Sequence, residues 1–191
     1  HGELVSDGPA SQVLDRYFVL GSQEANTTGV THPLANPHSG VIPATTNEQE
    51  REQIVSGLQP PFERRVSHRV GTGQARFVEC RLLADSEEAI VVETGATLRV
   101  QALLSALDDC PYEGEVGLVV ATTEGVELFA VNSFFHGVHV PPMKKGQERV
   151  LEFEFVSPLS SGARYRIDLG YRMPVQGEYV DKAFAAAGFS V

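Results

Sequence analysis

The sequence predicts an all-β sandwich preceded by a helical and linker extension. From about residue 69 onward apolar and polar residues alternate with period two, and turn signals recur at short intervals. Each strand-like run carries a single apolar side. About seven such strands can bury their apolar sides only if two sheets stack, roughly 10 Å apart.

The elements follow in chain order. In HGELVSDGPASQVLDRYF an Asp-Gly-Pro breaker precedes an amphipathic run with Val13, Leu14, Tyr17 and Phe18 on one helical face. Such a helix is built to dock on a neighbouring body. Residues 21–46 are rich in Gly, Pro, Asn and Thr without a sustained period, which is linker composition. Thr46 or Asn47 is placed to cap a short helix through NEQEREQIVSGL, stopped by Gly57 and Pro60-Pro61 and weakened by the like charges of Glu48 and Glu52. The chain therefore divides into residues 1–20, a helix; 21–68, a linker with a short helix; and 69–191, the sandwich.

In ARFVECRLL, Val78, Cys80 and Leu82 alternate with Phe77, Glu79 and Arg81. In TLRVQALLSAL, Leu98, Val100, Ala102, Leu104 and Ala106 face inward, and Arg99, Gln101, Leu103 and Ser105 outward. GEVGLVVA and VELFAVNS, joined by Thr122-Thr123-Glu124-Gly125, form a hairpin. RVLEFEFV is buried through Leu151, Phe153 and Phe155, and ARYRIDLGY through Tyr165, Ile167 and Leu169, with turns at Lys144-Lys145-Gly146 and Ser160-Ser161-Gly162. The last strand, AFAAAGFSV, reads as a short edge whose unpaired backbone groups a partner chain can take up.

Charge limits the partners. The chain carries 15 basic and 25 acidic residues, a formal net charge of −10. Residues 1–68 hold 4 basic and 8 acidic residues, and 69–191 hold 11 and 17, so neither part offers the basic surface that nucleic acid needs. No apolar run approaches the roughly 18 residues of a membrane span, and the N-terminus lacks the pattern of a signal peptide, so a soluble segment is expected. The spacing of Cys80 and Cys110 does not settle whether they bridge; reduced thiols in a reducing compartment are expected.

Most catalytic motifs are excluded by their chemistry. GTGQAR at Gly71–Arg76 lacks the Lys and the following helix of a phosphate loop, so no nucleotide cofactor is expected. His136 and His139 in FFHGVHV have no nearby Cys or carboxylate to complete a tetrahedral set, so no metal is expected. The acids Asp108, Asp109, Glu113 and Glu115 cluster on one loop rather than across a cleft, and no nucleophile elbow is present. What remains is a polar face. Arg99 and Gln101 lie on the outer side of one strand, Arg164, Arg166 and Asp168 on that of another, and Glu79 and Arg81 on a third. These residues form either an ordinary solvated face or a shallow binding surface whose arginines present paired donors to hydroxyls or a carboxylate. Asn132, His136 and His139, in and beside the 132–140 loop, are the next candidates.

GTGQARFVECRLL, the hairpin GLVVATTEGVELFAVNS, VHVPPMKKGQ and FVSPLSSGARYRIDLGY together resemble the C-terminal carbohydrate-binding domain of Wzt-type ATP-binding subunits of O-antigen polysaccharide ABC transporters. The resemblance covers about residues 69–191. HGELVSDGPASQVLDRYF is similar to the end of an ABC ATPase domain, with the nucleotide machinery upstream. The resemblance implies an Ig-like sandwich, no chemistry in the domain itself, and binding of the terminal cap of a lipid-linked glycan. It also implies a homodimer formed by exchange of C-terminal strands, and a cytoplasmic subunit docked on a membrane permease. The chain has no Trp to stack on a sugar ring, so Tyr, Phe or Arg must supply that surface; arginines on the outer face suit an acidic cap such as a Kdo. A secreted-type adhesion or assembly sandwich and a glycan-processing enzyme are the alternatives.

Overall fold

A computed structural model describes residues 54–157 and 159–191. The expected helix within 1–20, the linker from 21 and most of the NEQEREQIVSGL helix lie outside the described residues. Nine strands and a short helix are described: α1 (Phe62–Arg65), β1 (His68–Val70), β2 (Ala75–Ala84), β3 (Glu87–Glu88), β4 (Thr97–Ala106), β5 (Glu115–Thr122), β6 (Glu127–Asn132), β7 (Glu148–Val156), β8 (Arg164–Arg172) and β9 (Tyr179–Ser190). One antiparallel sheet runs β1-β9-β8-β5-β6 and the other β3-β2-β4-β7. The inward sets meet between them: Leu98, Val100, Leu104, Leu151 and Phe153 from the second sheet, and Leu118, Val120, Ile167, Leu169 and Ala183 from the first, all essentially inaccessible. Among the described residues no helix is long and apolar enough to cross a membrane.

The expected turns form as their residues dictate. Gly125, Gly146 and Gly162 all take left-handed φ values, and the Gly125 N–H closes the β5–β6 hairpin on the Thr122 carbonyl at 3.0 Å. Cys80 and Cys110 are free and buried, and burial pushes the Cys80 thiol up to about 12.

Three expectations are corrected. Phe77 does not share a side with Glu79 and Arg81, because β2 bulges between Phe77 and Glu79. The extra residue resets the alternation, so Phe77 joins Cys80 and Leu82 in the core, with no accessible surface. The last strand is neither short nor an edge: β9 begins at Tyr179, pairs with β8 along its length, and is flanked on its other side by β1 at Lys182–Phe184 and by a bridge from Val91 to Ser190. Asp168 is not solvated. It is 1% exposed and accepts the Ala185 N–H at 2.7 Å, at a β9 bulge where Ala185 is left-handed.

Segment Ile54–Val70 is integral to the sandwich. Phe62 lies in the core, beneath the guanidinium groups of Arg65 and Arg69, 5.3 and 5.4 Å from its ring centre. Arg65 donates to the Cys80 carbonyl at 2.7 Å and pairs with Glu79. Arg69 donates to Asp181 at 2.6 Å and to the Phe77 carbonyl at 2.8 Å, satisfying backbone that the β2 bulge leaves without a ladder partner.

Candidate functional site

The sequence-selected residues fall on opposite outer faces of the sandwich. Arg81, Gln101 and Arg99 project from the four-stranded sheet. There they close on one another: Arg81 donates to Gln101 at 2.9 Å, Gln101 donates to Glu152 at 2.7 Å, and Arg99 bridges Glu152 and Glu154 at 3.2 Å each. The register explains this ladder, since Arg81, Gln101 and Glu152 stand opposite one another, as do Arg99 and Glu154. Arg99 is thereby paired with two carboxylates, and Arg81 is tied to Gln101 within the field of Glu88 and Glu152. Part of the same face is apolar and covered, with Ile54 seated on Leu103 and Val150.

Arg164, Arg166 and Asn132 belong to the five-stranded sheet, whose outer face is built differently. Lys182 (β9), Gly170 (β8), Gly117 (β5) and Asn132 (β6) stand side by side across four strands. Two adjacent strands thus offer no side chain at the middle of the row, leaving a shallow trough. The Tyr179 ring lies over Gly170, where a Cβ would come within 3.0 Å of it, and Asn132 Nδ2 lies 3.6 Å from the Cβ position of Gly117. Asn132 Oδ1 accepts the Phe134 N–H at 2.8 Å, which fixes the amide so that its NH2 faces the trough. On the β9 side stands a wall of rings. The Lys182 ammonium sits 4.9 Å from the Phe184 ring centre and 5.4 Å from that of Tyr179, and His68 of β1 packs against Phe184 at 5.6 Å. No described carboxylate pairs with Lys182.

Both ends of the trough carry arginines tied to buried acids. Arg172 pairs with Glu115 at 2.7 Å, and Arg166 with Asp168 at 3.1 Å. Arg164 lies exposed beyond Arg166 on the same strand. His136 and His139 are exposed in the loop after β6, beside Phe134 and Phe135, and are not brought into the row. Among the described residues no three His, Cys, Asp or Glu cluster as metal ligands. The four buried acids, Glu79, Glu115, Asp168 and Asp181, are each held by an arginine. Burial still raises the carboxyls of Asp181 and Glu79, against the bonds from Phe77 and Arg69 in one case and from Cys80 and Arg65 in the other. Neither faces the trough, so their raised affinity for protons serves no reaction there.

Tyr179, Lys182, Phe184 and His68 were not selected from the sequence. A sequence signal for this patch exists in the pair of glycines inside strand runs, in GEVGLVVA and RIDLGY, since a mid-strand glycine marks a close approach or an open patch.

Two stacked antiparallel sheets, a glycine-floored trough walled by rings and a cation, and buried acids held by arginine define a β-sandwich domain with a candidate binding face. Residues 66–186 match the model of the Wzt C-terminal domain, and the chain belongs to that family of binding domains, associated with O-antigen ABC transport. Its fold matches a crystal structure of the C-terminal domain of wzt at TM-score 0.58 and 17% identity, over 70% of this chain and 81% of that one. A Bacteroides uniformis beta-glucuronidase is similar over 58% of this chain and 14% of its own length, at 14% identity and TM-score 0.43. No curated protein sequence matches the chain.

Proposed function

We propose that this domain binds the terminal cap of an O-antigen polysaccharide in the trough of the five-stranded sheet, without reacting with it, and so couples glycan recognition to export. The observation that carries this is the row Lys182–Gly170–Gly117–Asn132 beneath the Tyr179 ring. A sugar ring can lie over Gly117, beside the Tyr179 ring that covers Gly170, with its C–H face on Tyr179 and its hydroxyls on the Asn132 amide. Lys182, unpaired with acid among the described residues, suits a carboxylated or phosphorylated cap such as a Kdo. The proposal carries with it a homodimer formed by exchange of C-terminal strands, in which β9 re-forms its pairings with β8 and β1 on the partner chain. It also carries a peripheral position at the inner membrane, where an upstream ATPase domain, approached through residues 1–20, docks on the permease.

Titration with capped and uncapped O-polysaccharide tests it. The capped form is expected to bind more tightly, and Tyr179→Ala and Asn132→Ala to weaken binding roughly tenfold each, about the 1.4 kcal/mol of one ordinary polar or stacking contact. Arg99→Ala is expected to bind as the parent does. Equal affinity for both glycans removes cap recognition. Loss on Arg99→Ala with Tyr179→Ala unaffected moves the site to the four-stranded sheet.

A further inference from the structure

Segment Ile54–Val70 touches both sheets. Its first residues lie on the four-stranded sheet: Ile54 covers Leu103 and Val150, and the Glu88 carboxylate accepts the Ser56 hydroxyl, the Gly57 N–H at 2.8 Å and the Leu58 N–H at 3.4 Å. Gln59 then accepts the Gly188 N–H of β9 at 3.0 Å. Its last residues form β1, paired with Lys182, Ala183 and Phe184 of β9. The strap therefore supplies part of the trough wall. His68 packs on Phe184 on the outer side of β9, while the next residue, Arg69, holds Asp181 on the inner side.

We infer that this strap is linked to the binding trough: a ligand lying on Lys182 and Phe184 favours the seated strap, and a seated strap favours the ligand. This rests on the trough being the glycan site. The physical ground is reciprocity. Unseating β1 removes His68 from Phe184 and frees the β9 edge at the residues that form the wall, so a ligand contacting them binds the seated state more tightly. The far end is the low-cost part of the strap to open: it is held by Ile54 and by bonds to Glu88, whereas Phe62, Arg65 and Arg69 anchor the remainder in the core. That end sits on the opposite sheet from the trough, so occupancy is passed to the chain that leads into Ile54.

The test uses the whole chain and, as probe, the O-polysaccharide of the encoding strain released from its lipid. Ile54→Ser and Glu88→Gln loosen the far end without touching the trough. Each is expected to lower affinity about fivefold, the lower end of ordinary coupling between sites. The probe is also expected to slow amide exchange at Gly57 and Leu58, whose N–H groups donate to Glu88 on the opposite sheet. Unchanged affinity in both variants with unchanged exchange overturns the inference, while continued sensitivity to Tyr179→Ala leaves the trough standing. Probe binding that Tyr179→Ala and Asn132→Ala do not weaken, or no probe binding at all, removes the trough and the linkage with it.

Discussion

Asp168 shows how one side chain organises its surroundings. Alternation along β8 puts it on the outer side with Arg164 and Arg166, and that parity is correct. It is nevertheless buried because β9 bulges across from it between Ala183 and Ala187, turning the Ala185 N–H onto its carboxylate. Ala185 holds a φ of 60° there, a conformation that costs a residue with a Cβ roughly 1–2 kcal/mol. The Asp168 bond offsets that strain. Asp168→Ala is therefore expected to destabilise the domain by about 1–3 kcal/mol in urea unfolding, with Ala185→Gly recovering part of the loss. Gly114 gives a second test. A Cβ there would lie 2.7 Å from the Tyr171 hydroxyl, within the ring's own space, and Tyr171 is wholly buried. Gly114→Ala is expected to lower the thermal midpoint by displacing that ring, an overpacking penalty of about 1–3 kcal/mol.

At the scale of elements, strands were legible wherever one side was apolar throughout. The runs chosen from alternation for β2, β4, β5, β6, β7 and β8 match the observed strands to within a residue at each end. What failed was phase and extent. No residue of ARFVEC announces a bulge, because the bulge is held from outside the strand, by Arg69 on the Phe77 carbonyl and Asp181 on its N–H. Tyr179–Lys182 were missed because Asp181 is a charged residue pointing inward, which breaks the period-two pattern although Arg69 neutralises it. The strap was missed for a related reason: its hold is polar, and hydrophobic periodicity does not register arginines bonded to carbonyls. A chain beginning at residue 69 loses Phe62 and Arg65. It is expected to be less stable by at least the roughly 3–5 kcal/mol of a deleted core phenylalanine, measured by denaturant titration against the 191-residue chain.

At the scale of the molecule, alternation told which side of a strand a residue occupies but not which sheet the strand joins. Both arginine sets were rightly placed outward, yet the sheet order sends them to opposite surfaces. The buried acids also shape the response to pH. Asp181 and Glu79 have folded-state pKa values raised by burial, so their contribution is fully present below the ordinary 3.8 and 4.5 and is lost as pH rises through the folded values. Glu88 behaves oppositely. Burial raises its pKa, but the bonds from Ser56, Gly57 and Leu58 and the charge of Arg81 outweigh it, so its contribution is present above 4.5 and is lost as pH falls through the folded value. Urea unfolding at successive pH values is expected to show Asp181→Asn flattening the loss on the neutral side and Glu88→Gln flattening it on the acid side. The interior position of β9 also bears on biosynthesis. Ser67 bonds to Phe184 across 117 positions of chain, so β1 has no neighbour to zip onto until translation has carried β9 clear of the ribosome. Until then the nascent polypeptide presents the open flank of β8 to the cytosol, and chaperone demand should peak in that interval.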